Sequence, residues 1–224
     1  MTAQLPPSDR SVDIEAIGGW AYSAAFSDAC DAAGLRQQAP VIALHPVAAE
    51  SRPVVGWARP AVAVTVDFLP DQPYQGEISF LDSLRPGEVP LVAASTRVPG
   101  LWGELFSAAA KARGATGAII AGSVRDQERI RQVGFTVYHT SAHPTDCHGR
   151  TVLEPREQID IEGVSIGVGD LVVVDVDGLV VIPSSHVPEI VSAARAKVTA
   201  ERSALAMLEQ GSLLREAWQA YGVL

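Results

Sequence analysis

Three side chains carry the first chemistry that the sequence suggests: Glu104, Arg125 and Asp126. Two carboxylates suit a hard divalent cation such as Mg2+ or Mn2+, which is held by one or two carboxylates and several waters and keeps positions for substrate oxygens. A guanidinium presents paired donors to a carboxylate, and the first N–H groups of a helix do the same. Together these parts describe a site for a 2-oxo acid. Its carboxylate would be held by Arg125 and a helix N-terminus and its keto oxygen by the cation. The enolate that forms when a bond β to that carbonyl breaks would thereby be stabilised.

The elements around these residues must bring them together, because residues 105 to 124 separate Glu104 from Arg125. The segment GELFSAAAKARG predicts a helix from about Gly103 to Arg113, with Leu105, Ala108, Ala109 and Ala112 on one face and a stop at Gly114. At 1.5 Å per residue it is roughly 15 to 17 Å long. TGAIIAG predicts a buried strand from Thr116 to Gly122, which returns about 20 Å at 3.3 Å per residue. The far end of the strand therefore arrives near the start of the helix. The spacing alone leaves a second reading open, since a Glu at a helix start and an Arg-Asp pair after a strand also occur as a dipole contact and a salt-bridged loop.

The remaining chain reads as more of the same architecture. Residues 19–34 predict a helix ending at Gly34; VIALHPV, AVAVTVDF, VPLVAAST and FTVYH predict strands; DQERIRQVGF predicts one or two helical turns. DLVVVDVDGLVVIP predicts a hairpin turning at Asp177-Gly178 in type I′ geometry, and a long amphipathic helix follows from Ser185, with Pro188 in its first turn. Alternating strands and helices flanked by hairpins predict an α/β sandwich with a mixed sheet. GVGDLV is not a dinucleotide fingerprint: Gly167 and Gly169 lack a third glycine and lead into a strand.

Composition narrows the partners. Against 26 acidic residues stand 17 Lys and Arg, a formal charge of −9 with no basic stripe, which argues against nucleic acid. Cys30 and Cys147 form no CxxC pair and fit a reducing compartment. The stretch MTAQLPPSDRSVD lacks a signal-peptide pattern, and no apolar run is long enough for a membrane span, so a cytoplasmic protein without membrane contact is expected.

The stretches GELFSAAAKARGATGAIIAGSVRD and GVSIGVGDLVVVDVDGLVVIP resemble the RraA-like family, which includes the class II 4-hydroxy-4-methyl-2-oxoglutarate/4-carboxy-4-hydroxy-2-oxoadipate aldolases. Its aldolases carry an acidic residue, twenty intervening residues, then Arg-Asp, as Glu104 and Arg125-Asp126 do here. The resemblance implies a single domain over 1–224 with a helical C-terminal segment from about 185, folded as a β/β/α sandwich like swivelling phosphohistidine domains. It implies a metal-dependent pyruvate aldolase with oxaloacetate decarboxylase activity, using Mg2+ or Mn2+ and assembled as homotrimers or homohexamers. By position, Asp126 would ligate the metal and Glu104 would act on it through water; Arg125 would bind the pyruvoyl carboxylate with backbone N–H groups near Gly103, Leu105 and Phe106. A glutamate from a neighbouring copy completes the family's site, and Glu201 matches it. This chain departs from the aldolases in having Glu104 for Asp and Ala121-Gly122 for Asp-Gly. The alternatives are a non-catalytic regulator of the RraA type and a lyase or hydratase for another sugar-derived keto acid. The regulator lacks the Asp of the Arg-Asp pair, so Asp126 favours an enzyme.

Other signals are weaker. His139, His143, Asp146, Cys147 and His148 include metal-ligating types, but Pro144 disrupts a helical His pair and the spacing matches no zinc module, which leaves a polar loop near the pocket. Ser185 reads as a helix cap rather than a nucleophile activated by His186, and Asp175 and Asp177 as turn residues. Trp57 and Trp102 read as packing residues, with Trp102 placed to wall the pocket.

Overall fold

Valine-rich runs pair here into one large mixed sheet. The structure is a computed structural model that describes residues 12–48, 52–94 and 99–223. In chain order the elements are α1 (Ile14–Gly18), α2 (Ser23–Ala32), β1 (His45–Pro46), β2 (Val54–Thr65), α3 (Gln75–Asp82), β3 (Glu88–Ala94), β4 (Gly100–Trp102), α4 (Glu104–Ala112), β5 (Ala118–Val124), α5 (Gln127–Val133), β6 (Val137–Ala142), β7 (Thr151–Pro155), β8 (Gln158–Ile161), β9 (Val164–Gly167), β10 (Leu171–Asp175), β11 (Gly178–Ile182), a 3-10 turn (Ser184–His186), α6 (Val187–Glu209) and α7 (Leu214–Tyr221). The main sheet runs β1-β6-β5-β3-β2-β10-β11, with β4 on β5 and β7 on β2; β8 and β9 form a separate hairpin. The pairs β2-β3, β3-β5, β4-β5 and β5-β6 are parallel and the rest antiparallel, as the mixed pattern predicts.

Alternation along the strands separates three layers. Ile119 of β5 and Val172 and Val174 of β10 pack toward Ile159, Ile161, Val164 and Ile166 of the β8-β9 hairpin. Ile120 and Val124 of β5 face the opposite way, onto Phe80 of α3, Ala110 of α4 and Ile130 of α5. Leu171 and Val173 pack on Phe26 of α2 and Ile190 and Ala194 of α6. Hairpin, sheet and helices form the expected β/β/α sandwich.

β2 is the strand that curls the sheet. Val54–Trp57 pair with β10 and Ala61–Thr65 with β7, while the other edge follows β3. Pro60 stands at the changeover. Its carbonyl accepts from the Arg156 N–H at 3.1 Å, so the side that lacks an N–H faces the gap between the two antiparallel partners, where a proline costs no ladder bond.

Several expectations need correction. The helix over 19–34 is shorter, α2 beginning only at Ser23, and a separate helix that was not expected, α1, precedes it; Asp13 caps α1 by accepting from the Ala16 N–H at 3.1 Å. Gly34 and Gly114 do end α2 and α4: both have positive φ, and the following residues donate back to Cys30 and Ala110 at 2.8 and 3.1 Å. Of VIALHPV only His45–Pro46 is strand, and Val41 is 92% exposed. AVAVTVDF belongs to a strand that starts earlier, at Val54; the Ser95 and Thr96 of VPLVAAST, like residues 1–11, lie outside the described residues. The hairpin loop is Val176-Asp177, between the paired Asp175 and Gly178; of these four residues only Gly178 has positive φ, so the turn is not type I′. On α4 the inward residues are Ser107 and Ala110, and the Leu105, Ala108, Ala112 side faces out, with Leu105 78% exposed. Ser107 turns in because its hydroxyl accepts from Trp102 Nε1 at 2.9 Å and donates to the Gly103 carbonyl at 3.0 Å. Strands β7 to β9 were not anticipated, although QIDIEGVSI alternates clearly. Among the described residues no helix is long and apolar enough to cross a membrane.

Candidate active site

Strand β5 and helix α4 meet as their lengths require. In a continuing strand, Arg125 and Asp126 would project to opposite faces. Asp126 instead takes left-handed backbone angles, φ 56° and ψ 32°, and begins α5. Both side chains then line one cleft of about 530 Å3 together with Gly103, Glu104, Leu105 and Phe106. Every cleft residue foreseen in this chain is therefore present. The approach is close: a Cβ built on Gly103 would lie 2.7 Å from Asp126 Oδ2, so only glycine lets the carboxylate rest against the start of α4. No side chain caps that helix, which leaves its first N–H groups to a ligand.

Two further residues, Tyr74 and Asp146, were not foreseen as part of the site. Arg125 is bracketed by carboxylates, with Nε 3.7 Å from Asp126 Oδ2 and Nη1 3.4 Å from Asp146 Oδ1. The Tyr74 hydroxyl donates to Asp146 Oδ2 at 2.5 Å. Burial pushes the Asp146 carboxyl up, but the Tyr74 hydrogen bond, the Arg125 charge and the backbone N–H groups of His148 and Cys147 together outweigh it and hold the group below its ordinary value. The same hydrogen bond, with burial, pushes Tyr74 up to about 12. The loop carrying Asp146 is pinned to β4, where Gly100 N–H donates to the Thr145 carbonyl at 2.9 Å. Tyr74 has φ 59°; of the three non-glycine residues with positive φ among those described, it and Asp126 both line this cleft. Such strain concentrates at functional sites. No local sequence pattern marks either residue, although the polar loop of Asp146 was expected near the pocket.

The donor set decides which metal fits. Among the described residues no three His, Cys, Asp or Glu side chains gather around one point. Of the three carboxylates in the cleft, Asp146 is engaged by Tyr74 and Arg125, while Glu104 and Asp126 flank the gap at Gly103. Oxygen donors in that number fit Mg2+ or Mn2+ completed by water and substrate, rather than a closed zinc site. Glu104 also faces Arg129 of α5 at 3.9 Å.

The other candidates disperse. His139 is buried with Nδ1 2.9 Å from the Ser141 carbonyl, and burial lowers its pKa. His143 Nδ1 accepts from the Thr145 N–H at 3.2 Å, and the His148 ring lies 5.3 Å from that of Tyr74. Cys147 is buried, and burial first, then the charges of Glu77 and Asp146, push its thiol up to about 12. Ser185 and His186 do face one another, at 2.9 Å, contrary to expectation, but they sit exposed on the 3-10 turn, and His186 rather than Ser185 caps α6. Asp175 serves its turn by accepting from the Asp177 N–H at 3.0 Å, and it also receives the Ser23 N–H and hydroxyl, both at 2.6 Å, at the start of α2. Trp102 is buried and walls the cleft, while Trp57 packs in the core. Glu201 lies on α6 outside this chain's cleft, bonded to the Tyr22 hydroxyl and 3.2 Å from Lys197 Nζ.

Comparison with known proteins bears on the family and the fold. The family model described as RraA-like, Aldolase/RraA, matches residues 23–181. Protein DlpA of Legionella pneumophila is 28% identical over 208 residues, 89% of this chain but 32% of DlpA, so the chain spans about a third of that relative. A Halorhodospira halophila protein named as a candidate 4-hydroxy-4-methyl-2-oxoglutarate aldolase is 33% identical over 81 residues, 36% of this chain and 49% of its own length. The Streptomyces coelicolor RraAS2 structure, described as an unusual member of the RNase ES inhibitor RraA protein family, superposes with TM-score 0.71 at 26% identity, over 86% of this chain and 96% of its own. The RNA-processing inhibitor RraA from Thermus thermophilis shares the fold, with TM-score 0.58 at 20% identity over 70% of this chain and 92% of its own. The matched segment takes in the whole cleft, from Tyr74 to Cys147, and the chain belongs to the RraA-like family.

Proposed function

We propose that the protein is a divalent-metal-dependent carbon–carbon lyase that cleaves a 4-hydroxy-2-oxo acid to release pyruvate, and that it also decarboxylates oxaloacetate. The observation that carries this reading is the convergence of Glu104, Arg125 and Asp126 at the uncapped start of α4. Asp126, with Glu104 acting through water, would hold Mg2+ or Mn2+; when bound, the cation supplies a Lewis acid for the 2-oxo group. Arg125 binds the substrate carboxylate, assisted by the N–H groups of Leu105 and Phe106. Glu104 accepts the proton of the 4-hydroxyl, directly or through water, as the C3–C4 bond breaks. With oxaloacetate the leaving group is CO2 and no hydroxyl proton moves.

The test is pyruvate release from oxaloacetate by the purified protein with Mg2+. Turnover abolished by EDTA and reduced at least about 1,000-fold in Asp126→Asn is expected; activity indifferent to both would sink the proposal. The likeness to RraAS2 favours a second reading, a regulator acting through its surface. Inhibition of an RNase E-type enzyme by a protein that leaves oxaloacetate untouched would support that reading instead.

A further inference from the structure

This inference rests on the lyase reading and concerns the group carried on C4 of the substrate. The lining of the cleft divides by chemistry. In one part a single guanidinium, Arg125, shares the lining with the carboxylates of Glu104, Asp126 and Asp146, and among the described lining residues it is the only cation. Two of those carboxylates stand within 4 Å of it, at 3.7 and 3.4 Å. Tyr74 fixes Asp146 by donating to its other oxygen at 2.5 Å. The nearby Arg129 is 67% exposed and turned to Glu104 at 3.9 Å.

The rest of the lining is apolar. Ile78 of α3 and Leu105 of α4 line the cleft while remaining 48% and 78% exposed, with Phe106 partly buried beside Trp102 at a ring distance of 5.8 Å. A divalent cation would offset two of the three negative charges, and the oxo acid's own carboxylate occupies Arg125. A second carboxylate beyond C4 would then lose water, would meet no further cation among the described lining residues, and would feel the fixed charge of Asp146. An apolar group there would instead cover Ile78, Leu105 and Phe106 and remove them from water.

We propose that the substrate is a 4-hydroxy-2-oxo monocarboxylate whose C4 carries an uncharged apolar group, so that the products are pyruvate and an apolar aldehyde. The step balances without a co-reactant. The C3–C4 bonding pair passes into the pyruvate enolate, the 4-hydroxyl loses its proton as it becomes the aldehyde carbonyl, and C3 takes up a proton.

The experiment compares three compounds with the full-length protein and Mg2+: oxaloacetate, a 4-hydroxy-2-oxo acid bearing an isobutyl group at C4, and its counterpart bearing carboxymethyl there. Oxaloacetate carries its second carboxylate at C4 itself, so it reports the chemistry without testing the outer lining. The isobutyl compound is expected to have a kcat/KM at least about tenfold above its carboxylated counterpart. Ile78→Arg, which places a cation on the apolar lining, is expected to narrow or reverse that ratio. Preference for the carboxylated compound, or a ratio unmoved by Ile78→Arg, overturns the inference. So does turnover of oxaloacetate with neither hydroxy acid cleaved, an outcome under which the metal-dependent decarboxylation still stands. Silence toward all three compounds removes the lyase reading and this inference with it.

Discussion

On the proposed mechanism Glu104 and Asp126 share a cleft but not a task, and substitutions should separate them. Glu104→Gln keeps the shape of the side chain and removes a base. Aldol cleavage is expected to fall about 100-fold or more while oxaloacetate decarboxylation stays within about tenfold, because only the first reaction has a hydroxyl proton to move. Equal losses in steady-state assays of both would remove Glu104 from that role. Asp146 contributes through Arg125, and its protonation links to stability. Its folded pKa is depressed, so its contribution is present above the ordinary carboxylate value of about 3.9 and is lost as pH falls through the folded value. Tyr74→Phe removes the largest of the four influences that hold the pKa down. The Asp146-linked acid decline in thermal midpoint, which sets in near the unfolded value in both proteins, is then expected to be smaller and complete at higher pH in the variant, and the difference between the two proteins to close at the lowest pH, where Asp146 is protonated in both.

At the scale of elements, the α4-β5 return was legible because both members have fixed rises and a hard stop at Gly114; the left-handed turn at Asp126 that aims its carboxylate at Gly103 was not. The buried side of α4 was not legible. Its run of alanines gives the periodicity little direction, and the residue that settles the rotation is Ser107, through hydrogen bonds that no hydrophobic pattern records. Tyr74 escaped notice, and Asp146 was read only as part of a polar loop near the pocket, for a related reason: they reach the site from segments far apart in sequence, where spacing carries no geometric constraint. Gly103→Ala tests the return directly. A methyl 2.7 Å from Asp126 Oδ2 must displace the carboxylate, so Mn2+ affinity measured by calorimetry is expected to weaken about 10- to 100-fold, with the far-UV spectrum unchanged. Helix α3 offers a stability test. Burial raises the pKa of Glu77, against the hydrogen bonds it accepts, including one from the Leu153 N–H at 3.2 Å. A raised folded pKa means stability that is full below the unfolded value, about 4.3, and lost as pH rises through the folded one. Glu77→Gln keeps an acceptor for Leu153 without the charge. Its thermal midpoint is expected to equal or exceed the parent's at pH 7.5 and to depend less on pH above about 4.

For the whole molecule, the surface of α7 bears on the proposed assembly. Leu214, Trp218 and Tyr221 fall at i, i+4 and i+7 on α7 and are 56%, 51% and 41% exposed, an apolar stripe that a monomer would leave in water. Sedimentation is expected to find a trimer or hexamer, and Trp218→Glu to shift it toward monomer; a monomeric parent would remove both the assembly and the role of Glu201 across subunits. The path of β2 has a consequence for synthesis as well. Val54–Thr65 has partners from β3, β7 and β10, and the last begins at Leu171, more than a hundred residues downstream. At roughly 5–20 residues per second, the ribosome leaves one edge of that valine-rich strand open for about 5 to 20 s. A nascent chain stalled before Leu171 should therefore bind a holdase chaperone, and one extended past Ile182 should release it.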